Sequence, residues 1–454
     1  CQMKKNLTSI EVPADRSVKN GPMHVIWPRS IPFWMAVFYL IIFIIRPWEQ
    51  LFPWLQTIRL EKIYGIFMII VAILWGNKYA LANRQTFVVV LFFLSIIISA
   101  VFAVNPSIAW DSVYFYMTIV AFYFVISMVI RSPHDLFFFV IFYILTMAAY
   151  LTKSQWEFFV HGQHRYDMGV YRLIGIESTF GGPNSLAMSI VVSLPMLVFL
   201  WVSRKKITSD WPQLWKRLFT PFLLLYFMLA TSSIVLTNSR SGMLGIVFFV
   251  LLTVLSGKGF FRKVVYTLSG AIVLSILWQV MPYEHKGRFQ TIFDPESGPK
   301  SAHVSAEGRI EGFKAGMAMC HKFPLTGVGV GNFIEYRASH VDGVSLEAHN
   351  LAGELLGQTG LVGGIVFSLV LVVIIINRLK VSAIARRYPA NETLVMLSGL
   401  TRASWQALVL LLFEGFFGHN LLRYNWLWLA AFTSLALQFA KDMASKEVLT
   451  DVHC

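Results

Sequence analysis

Residues 360–377, GLVGGIVFSLVLVVIIIN, contain no charged side chain. A helix of about 20 apolar residues crosses the ~30 Å hydrocarbon core of a bilayer. Backbone amides have no water partners in lipid, so a crossing segment must satisfy them within a helix or a closed barrel. This stretch therefore predicts a transmembrane helix.

Comparable apolar runs occur along the rest of the chain. Of the 454 residues 56% are hydrophobic and 14% are charged, and the mean hydropathy is +0.62. A soluble protein of this size needs a more polar surface. We therefore expect an all-α integral membrane protein with about twelve transmembrane helices. The predicted spans are 31–45, 63–75, 86–104, 112–130, 135–151, 182–201, 219–237, 241–256, 264–281, 360–377, 404–418 and 425–440.

The distribution of Lys and Arg orients these spans. With the N-terminus in the cytoplasm, cytoplasmic segments carry 23 basic residues and outer segments carry 15. Seven of the 15 lie in the long loop 282–359, which the positive-inside rule does not count. Both termini are then cytoplasmic, and the 152–181 loop and the 238–240 and 419–424 turns lie outside. The basic residues flank spans instead of forming one stripe, so the net charge of +14 predicts no nucleic-acid partner.

The predicted topology divides the chain into five segments. They are a cytoplasmic tail (1–30), helices 1–9 (31–281), a periplasmic loop (282–359), helices 10–12 (360–440) and a cytoplasmic tail (441–454). A large charged loop beside membrane helices is the expected place for chemistry. The three cysteines are far apart in sequence, so they predict neither a disulfide framework nor a metal site.

Residues 305–322, SAEGRIEGFKAGMAMCHK, have helical spacing. One face of this helix is apolar and could lie on the membrane surface; it contains Ile310, Phe313, Met317 and Cys320. We expect Ser305 to cap the helix and Glu307 to lie in its first turn. Arg309 would then stand beside the helix N-terminus, which favours anion binding. The alternative is an interfacial arginine paired with Glu311 or a lipid headgroup.

Two short motifs follow in the loop. The glycines of FPLTGVGVGNF (323–333) permit a tight turn that returns the loop to the membrane. A nucleotide-binding loop would need a preceding strand and a βαβ unit, and neither is predicted. In EAHN (347–350), His349 can accept a proton near neutral pH, with Glu347 or Asn350 to orient it. A structural histidine at the interface is the alternative.

Two ionisable groups accompany the spans themselves. TNSRSG (237–242) holds Arg240 in a short turn between two helices, either as a rigid cation or as a snorkelling side chain. Glu414 lies within a predicted span, where ionisable residues tend to be functional. Pairing of Glu414 with Arg423 is the alternative.

The 152–181 loop contains His161, His164, Arg165 and Arg172. The two histidines are three residues apart, but no cysteine or carboxylate completes a convincing ligand set, so no metal site is predicted. The basic, aromatic composition favours binding of a sugar or a diphosphate. After it, GGPNSLA (181–187) predicts an irregular start to the sixth span, which is tolerated where it lines a cavity.

Taken together, these motifs resemble the O-antigen ligase and polymerase superfamily of bacterial envelopes. The resemblance rests on TNSRSG, on the arginine in EGRIEGFKAGMAMCHKFPLTGVGVGNF and on EAHNLAGELLGQTGLVGG, and it covers residues 237–364. FGGPNSLAMSIVVSLPM (180–196) is a weaker match. By position, the resemblance implies that Arg240, Arg309 and His349 carry the function.

The resemblance also implies a reaction. A glycan on a polyprenyl diphosphate, undecaprenyl diphosphate in bacteria, is transferred at the periplasmic face of the inner membrane onto a sugar hydroxyl of lipid A–core. Arg240 and Arg309 would stabilise the diphosphate leaving group, and His349 would act as the base. The expected reaction is a single displacement that inverts the anomeric carbon, with a double displacement as the alternative, and it uses no metal and no cofactor. Glu307 is a second candidate base. Further candidates for substrate binding are Glu307, Arg172, Arg165 and Asn350.

Two alternatives remain at this point. A polymerase of the same superfamily would use another repeat unit as the acceptor; the twelve spans and the loop after the ninth favour the ligase. A transporter of lipid-linked glycan would be expected to show repeated halves and ionisable residues near the bilayer midplane. The sequence shows no internal repeat, and its ionisable residues gather at one predicted face.

Overall fold

The computed structural model describes residues 27–28, 30–50, 52–167, 170–175, 179–257, 259–280, 286 and 301–452. Most of the predicted N-terminal tail and the first part of the predicted loop 282–359 lie outside these residues. The described part of the predicted C-terminal tail continues the last helix.

The described residues form a helical bundle with one short hairpin. The helices are α1 (Ile31–Ile45), α2 (Pro47–Gln50), α3 (Trp54–Thr57), α4 (Leu60–Trp75), α5 (Arg84–Val101), α6 (Pro106–Val129), α7 (Pro133–Val160), α8 (Pro183–Ile207), α9 (Gln213–Thr237), α10 (Arg240–Ser256), α11 (Phe260–Val280), α12 (Ser301–Lys322), α13 (Phe333–His340), α14 (Leu351–Arg387), α15 (Glu392–Glu414) and α16 (Asn425–Val452). A 3₁₀ turn covers Lys78–Leu81. Strand β1 (Arg165–Asp167) pairs antiparallel with β2 (Val170–Arg172).

Each predicted apolar run overlaps one of these helices. Among the described residues, seven helices are long and apolar enough to cross a membrane: α5, α6, α7, α8, α9, α14 and α15. Three shorter apolar helices are α1, α10 and the Lys263–Ile276 part of α11. The structure is therefore mostly helical, as expected for an all-α, multi-pass membrane protein, while the number of twelve crossings stays a prediction.

Several helices begin before the apolar run because a polar residue caps them. The Asn83 side chain accepts from the Thr86 amide at the start of α5, and Asn391 accepts from the Leu394 amide at the start of α15. Ser132 and Asp135 form a reciprocal capping box at the start of α7. Hydrophobicity alone misses such starts. The apolar pattern also places the end of α7 too early, because the helix continues to Val160. The predicted 152–181 loop is therefore wrong over its first nine residues.

Aromatic packing holds the core around α16. The ring centroid of Trp428 lies 5.5 Å from that of Phe122 on α6 and 5.7 Å from that of Tyr143 on α7. Tyr424, just before α16, lies 4.4 Å from Trp428. Edge-to-face pairs of this kind each contribute about 0.5–1.5 kcal/mol beyond their burial. They fix the end of α16 that adjoins the 415–424 connection.

Helix α14 changes direction at one glycine. Gly360 has φ 63° and ψ −163°, a conformation open essentially to glycine alone. The amide of Leu361 leaves the helical pattern and donates to the Pro324 carbonyl at 2.8 Å. The break coincides with the predicted boundary between the loop and the tenth span, so the first part of α14 belongs to the loop.

The loop helix α12 differs from the prediction in two respects. Ser305 lies inside a helix that already includes Ser301, so its assignment as the N-cap is wrong. Arg309 consequently lies beyond the first turn, and the argument that a helix N-terminus helps it to bind an anion fails. Of the predicted apolar face, Ile310, Phe313 and Met317 are 59%, 40% and 41% exposed, whereas Cys320 is buried.

Candidate active site

The glycine-rich turn fastens the loop to the bundle, as the sequence predicts. Gly327, Gly329 and Gly331 have φ of 66°, 103° and 81°. The amide of Gly331 donates to Gln358 Oε1 at 2.6 Å, and the amide of Val330 donates to Ser99 Oγ at 3.0 Å. The turn therefore joins α13 to both α5 and α14.

Helix α12 packs backbone to backbone against the start of α14. A Cβ atom at Gly312 would overlap the Ala348 carbonyl oxygen, and one at Gly316 would overlap the Gly353 carbonyl oxygen. The absence of side chains on this face permits the close approach. It sets Arg309, three residues before Gly312, beside the EAHN segment.

The EAHN segment has a defined and strained geometry. His349 has φ 48°, a left-handed conformation that is uncommon outside glycine. Asn350 caps α14: its Oδ1 accepts from the amides of Ala352 at 2.9 Å and Gly353 at 3.1 Å. The Leu351 amide donates to the Gly415 carbonyl at 2.6 Å. His349 is thus fixed against the end of α15.

The 415–424 connection supplies the opposite wall. The ring centroids of His349 and His419 lie 5.5 Å apart, and the Arg309 guanidinium carbon lies 5.4 Å from the centroid of the Phe417 ring. Asn420 Nδ2 donates to the Leu411 carbonyl at 2.9 Å, and Trp426 Nε1 donates to the Asn420 carbonyl at 2.7 Å. These bonds hold the connection in place.

Arg240 enters the same region from α10. Helix α9 ends at Thr237, and Ser239 caps α10 by accepting from the Gly242 amide at 3.3 Å, so Arg240 is the first residue of the new helix. The neighbouring Ser241 interacts with the Glu414 carboxylate.

Glu414 is buried, and it also interacts electrostatically with Arg309. Two of the motifs therefore reach Glu414, and the third reaches the adjacent Gly415 at the end of α15. No ion pair between Glu414 and Arg423 occurs within the described residues; Arg423 Nη1 instead donates to the Thr179 carbonyl at 2.8 Å.

Burial and neighbouring groups favour the neutral form of both imidazoles. Burial lowers the pKa of His349, and the charges of Arg309 and Arg337 lower it further. Burial, then His349 and Arg423, lowers the pKa of His419 to about 4. A neutral imidazole has a free nitrogen lone pair and can accept a proton. Burial also lowers the pKa of Arg309, but a guanidinium remains charged.

Arg337 is a site residue that the sequence interpretation missed. Its side chain is 1% exposed, and its Nε and Nη2 donate to the Asp342 carboxylate at 3.0 Å and 2.8 Å. Glu311 lies 4.0 Å from Arg337 instead of pairing with Arg309. Arg337 and Asp342 belong to no recognisable sequence motif. Only the fold therefore reveals that the two side chains pair.

Four of the predicted binding residues are placed away from the imidazoles or are already engaged. Arg172 is buried; its Nε donates to the Thr237 carbonyl at 2.9 Å and its Nη2 to Asn184 Oδ1 at 2.8 Å. Arg165 lies opposite Arg172 in the hairpin and is exposed, as is Glu307 on α12. Neither side chain makes a hydrogen bond or ion pair within the described residues. The Asn350 oxygen is used by its cap.

The two loop histidines have separate partners. His161 Nδ1 lies 2.7 Å from Glu157 Oε2, and His164 packs edge-on to Tyr171 with centroids 4.3 Å apart. The two imidazoles therefore lie against different neighbours.

Comparison with known proteins agrees with the geometry. No curated protein matches the chain. Residues 225–368 match the family model described as O-antigen ligase. The matched segment includes Arg240, Arg309, His349 and the glycine-rich turn. The resemblance drawn from the motifs is therefore confirmed, and the match over residues 225–368 of this membrane protein supports the O-antigen ligase superfamily.

Proposed function

We propose that the protein transfers a glycan from a polyprenyl diphosphate to a sugar hydroxyl of an acceptor. The family match supports a ligase- or polymerase-type function in O-antigen biosynthesis. The observation that carries the proposal is that three distant motifs approach the end of α15. Ser241, next to Arg240, and Arg309 interact with Glu414, and the Leu351 amide, two residues after His349, donates to the Gly415 carbonyl.

The arginines suit the leaving group. As the bond between the anomeric carbon and the diphosphate oxygen breaks, that oxygen keeps the electron pair and gains negative charge. Arg240 and Arg309 each offer a planar fork of donors to phosphate oxygens. Arg309 lies partly out of water against Phe417, where such charge stabilisation is stronger than in solution.

The imidazole suits the acceptor. His349 is neutral and can take the proton of the sugar hydroxyl as its oxygen bonds to the anomeric carbon. A single displacement inverts that carbon and needs no cofactor, because the diphosphate ester is already activated. We assign Arg172 a positioning role, since it ties the hairpin to the backbone of TNSRSG.

We infer twelve crossings, with the site at the periplasmic face of the inner membrane. Loop contacts that fall into two sets support this arrangement. Asn105 bonds with Asn332, and Thr179 bonds with Arg423. At the other end, Lys206 lies 2.8 Å from Glu392, and Asn391 bonds with Glu447. Twelve alternating crossings place the first set outside and the second inside.

We propose undecaprenyl-diphosphate-linked O-antigen as the donor and lipid A–core as the acceptor, which makes the protein a ligase. The polymerase of the same superfamily remains the second candidate. Deletion separates the two: loss of a ligase leaves long donor-linked polymer beside bare core, whereas loss of a polymerase leaves core that carries one repeat.

The decisive experiment uses purified protein reconstituted with lipid-linked glycan and acceptor. Arg240→Ala and Arg309→Ala should fold and transfer nothing, and Arg309→Lys should recover little, because an ammonium cannot bind two oxygens in a fork. Lys314→Ala, on the exposed side of the same helix α12, is the matched control and should transfer normally. Near-normal transfer by either alanine variant removes that arginine from the mechanism, and inhibition by EDTA would indicate a metal requirement.

A further inference from the structure

A cavity lies at the end of the bundle opposite the candidate active site. It measures about 450 Å³ and lies between α8, α10, α11, α14 and α15. Its lining includes Lys206, Arg386 and Arg402. About 25 residues of α14 separate Arg386 from the Gly360 break, a distance of ~38 Å along the helix. The cavity is therefore distinct from the candidate active site.

The cations of this cavity have few acidic partners. Lys206 pairs with Glu392 at 2.8 Å. Arg386 and Arg402 are exposed, and neither forms an ion pair with any residue that the structure describes. The wall also carries polar groups: Gln406 Nε2 donates to Ser256 Oγ at 3.2 Å. Two unneutralised guanidinium groups beside hydroxyl and amide groups form an environment that favours an anion.

An apolar groove of about 430 Å³ adjoins the basic cavity. Its lining is nearly all hydrocarbon and includes Leu197, Phe227, Phe249 and Val273. Val198, Thr253 and Tyr266 line both spaces, so the cavity and the groove lie side by side. A ligand that fills both has an anionic head and a hydrocarbon tail.

We propose that this paired cavity binds an anionic phospholipid. The phosphate lies against Arg386 and Arg402, and an acyl chain lies in the groove between α8, α9, α10 and α11. Basic pockets between membrane helices on the cytoplasmic side bind acidic headgroups. Each buried methylene of the chain adds to the affinity through the hydrophobic effect.

The test measures lipid binding to the full-length protein after delipidation in detergent. Native mass spectrometry counts the adducts and a titration gives the dissociation constant for phosphatidylglycerol and for phosphatidylcholine with the same acyl chains. Phosphatidylglycerol should bind preferentially. The double variant Arg386→Gln/Arg402→Gln should bind it about thirtyfold more weakly, a factor of about five for each basic group. Arg387→Gln, the adjacent exposed arginine outside the cavity lining, is the matched control and should bind like the wild type.

Two further experiments distinguish the contribution of the lipid headgroup from that of the acyl chain. Val198→Trp fills the space where the cavity meets the groove and should weaken the binding of phosphatidylglycerol. Thermal unfolding midpoints equal to that of the wild type, measured without lipid, would show that this variant and the double variant both fold. Inorganic phosphate alone should stabilise the protein much less than the lipid does. Equal binding of the two lipids, unchanged binding by the double variant, or equal stabilisation by inorganic phosphate would overturn the proposal.

Discussion

At the scale of single residues, His349 combines a strained backbone conformation with surroundings that lower the pKa of its imidazole. Its left-handed backbone costs of order 1–3 kcal/mol, and such strain persists only where the surrounding structure imposes it. Here the Asn350 cap and the Leu351–Gly415 hydrogen bond, both immediately after His349, impose it. The same packing removes the imidazole from water beside Arg309 and Arg337, which favours its neutral form.

The pH dependence of glycan transfer should reflect the lowered pKa of His349. The base works only when neutral, so kcat/KM falls as pH drops through the pKa of His349. Because burial and the two arginines lower that pKa below 6.5, activity should persist below pH 6.5 and disappear at more acidic pH. The measurement is a kcat/KM profile over the acidic range. An acidic limb at or above pH 6.5 would contradict the role, and a limb near pH 4 that His419→Gln abolishes would assign it to His419.

At the scale of helices and turns, the local signals in the sequence predict much of what is seen. Apolar runs locate the helices, and the glycines of 323–333 locate the turn. Helix ends are less predictable, because a cap such as Asn83 depends on one side chain in a polar segment. The packing of α12 was not predictable at all. Ile310, Phe313 and Met317 of its apolar stripe are exposed, whereas its contact face combines the buried Ala315 and Met319 with Gly312 and Gly316, and the two glycines have no hydrophobic signal.

The glycine face of α12 gives a test at this scale. Gly316→Ala adds a methyl group where the Gly353 carbonyl lies, and such overpacking costs about 1–3 kcal/mol. The helix should shift, carry Arg309 away from His349 and lower both the unfolding midpoint and transfer. Gly308→Ala, two turns earlier in open space, should keep activity and gain about 0.5–1 kcal/mol, since glycine disfavours helix. Wild-type behaviour of Gly316→Ala would show that the close packing is dispensable.

At the scale of the whole molecule, the site exists only because distant segments meet. Arg240, Arg309 and His349 could be selected from the sequence because each lies in a motif that resembles a known superfamily. Glu414 could be noticed as a carboxylate in an apolar run, but its partners could not, because Ser241 and Arg309 lie far away along the chain. Long-range contacts of this kind depend on topology.

The topology itself is open to a direct test. In a variant with Cys1, Cys320 and Cys454 replaced, Val341→Cys lies in an exposed stretch between α13 and α14, and Ala390→Cys lies in the exposed connection between α14 and α15. A membrane-impermeant maleimide added to intact spheroplasts should label the first and not the second, because α14 carries the chain across the bilayer between them. Permeabilised cells, in which both should react, control for thiol accessibility. Labelling of both cysteines in intact spheroplasts would place the basic cavity and the candidate active site on the same side of the membrane. That result would contradict the inferred crossing of α14.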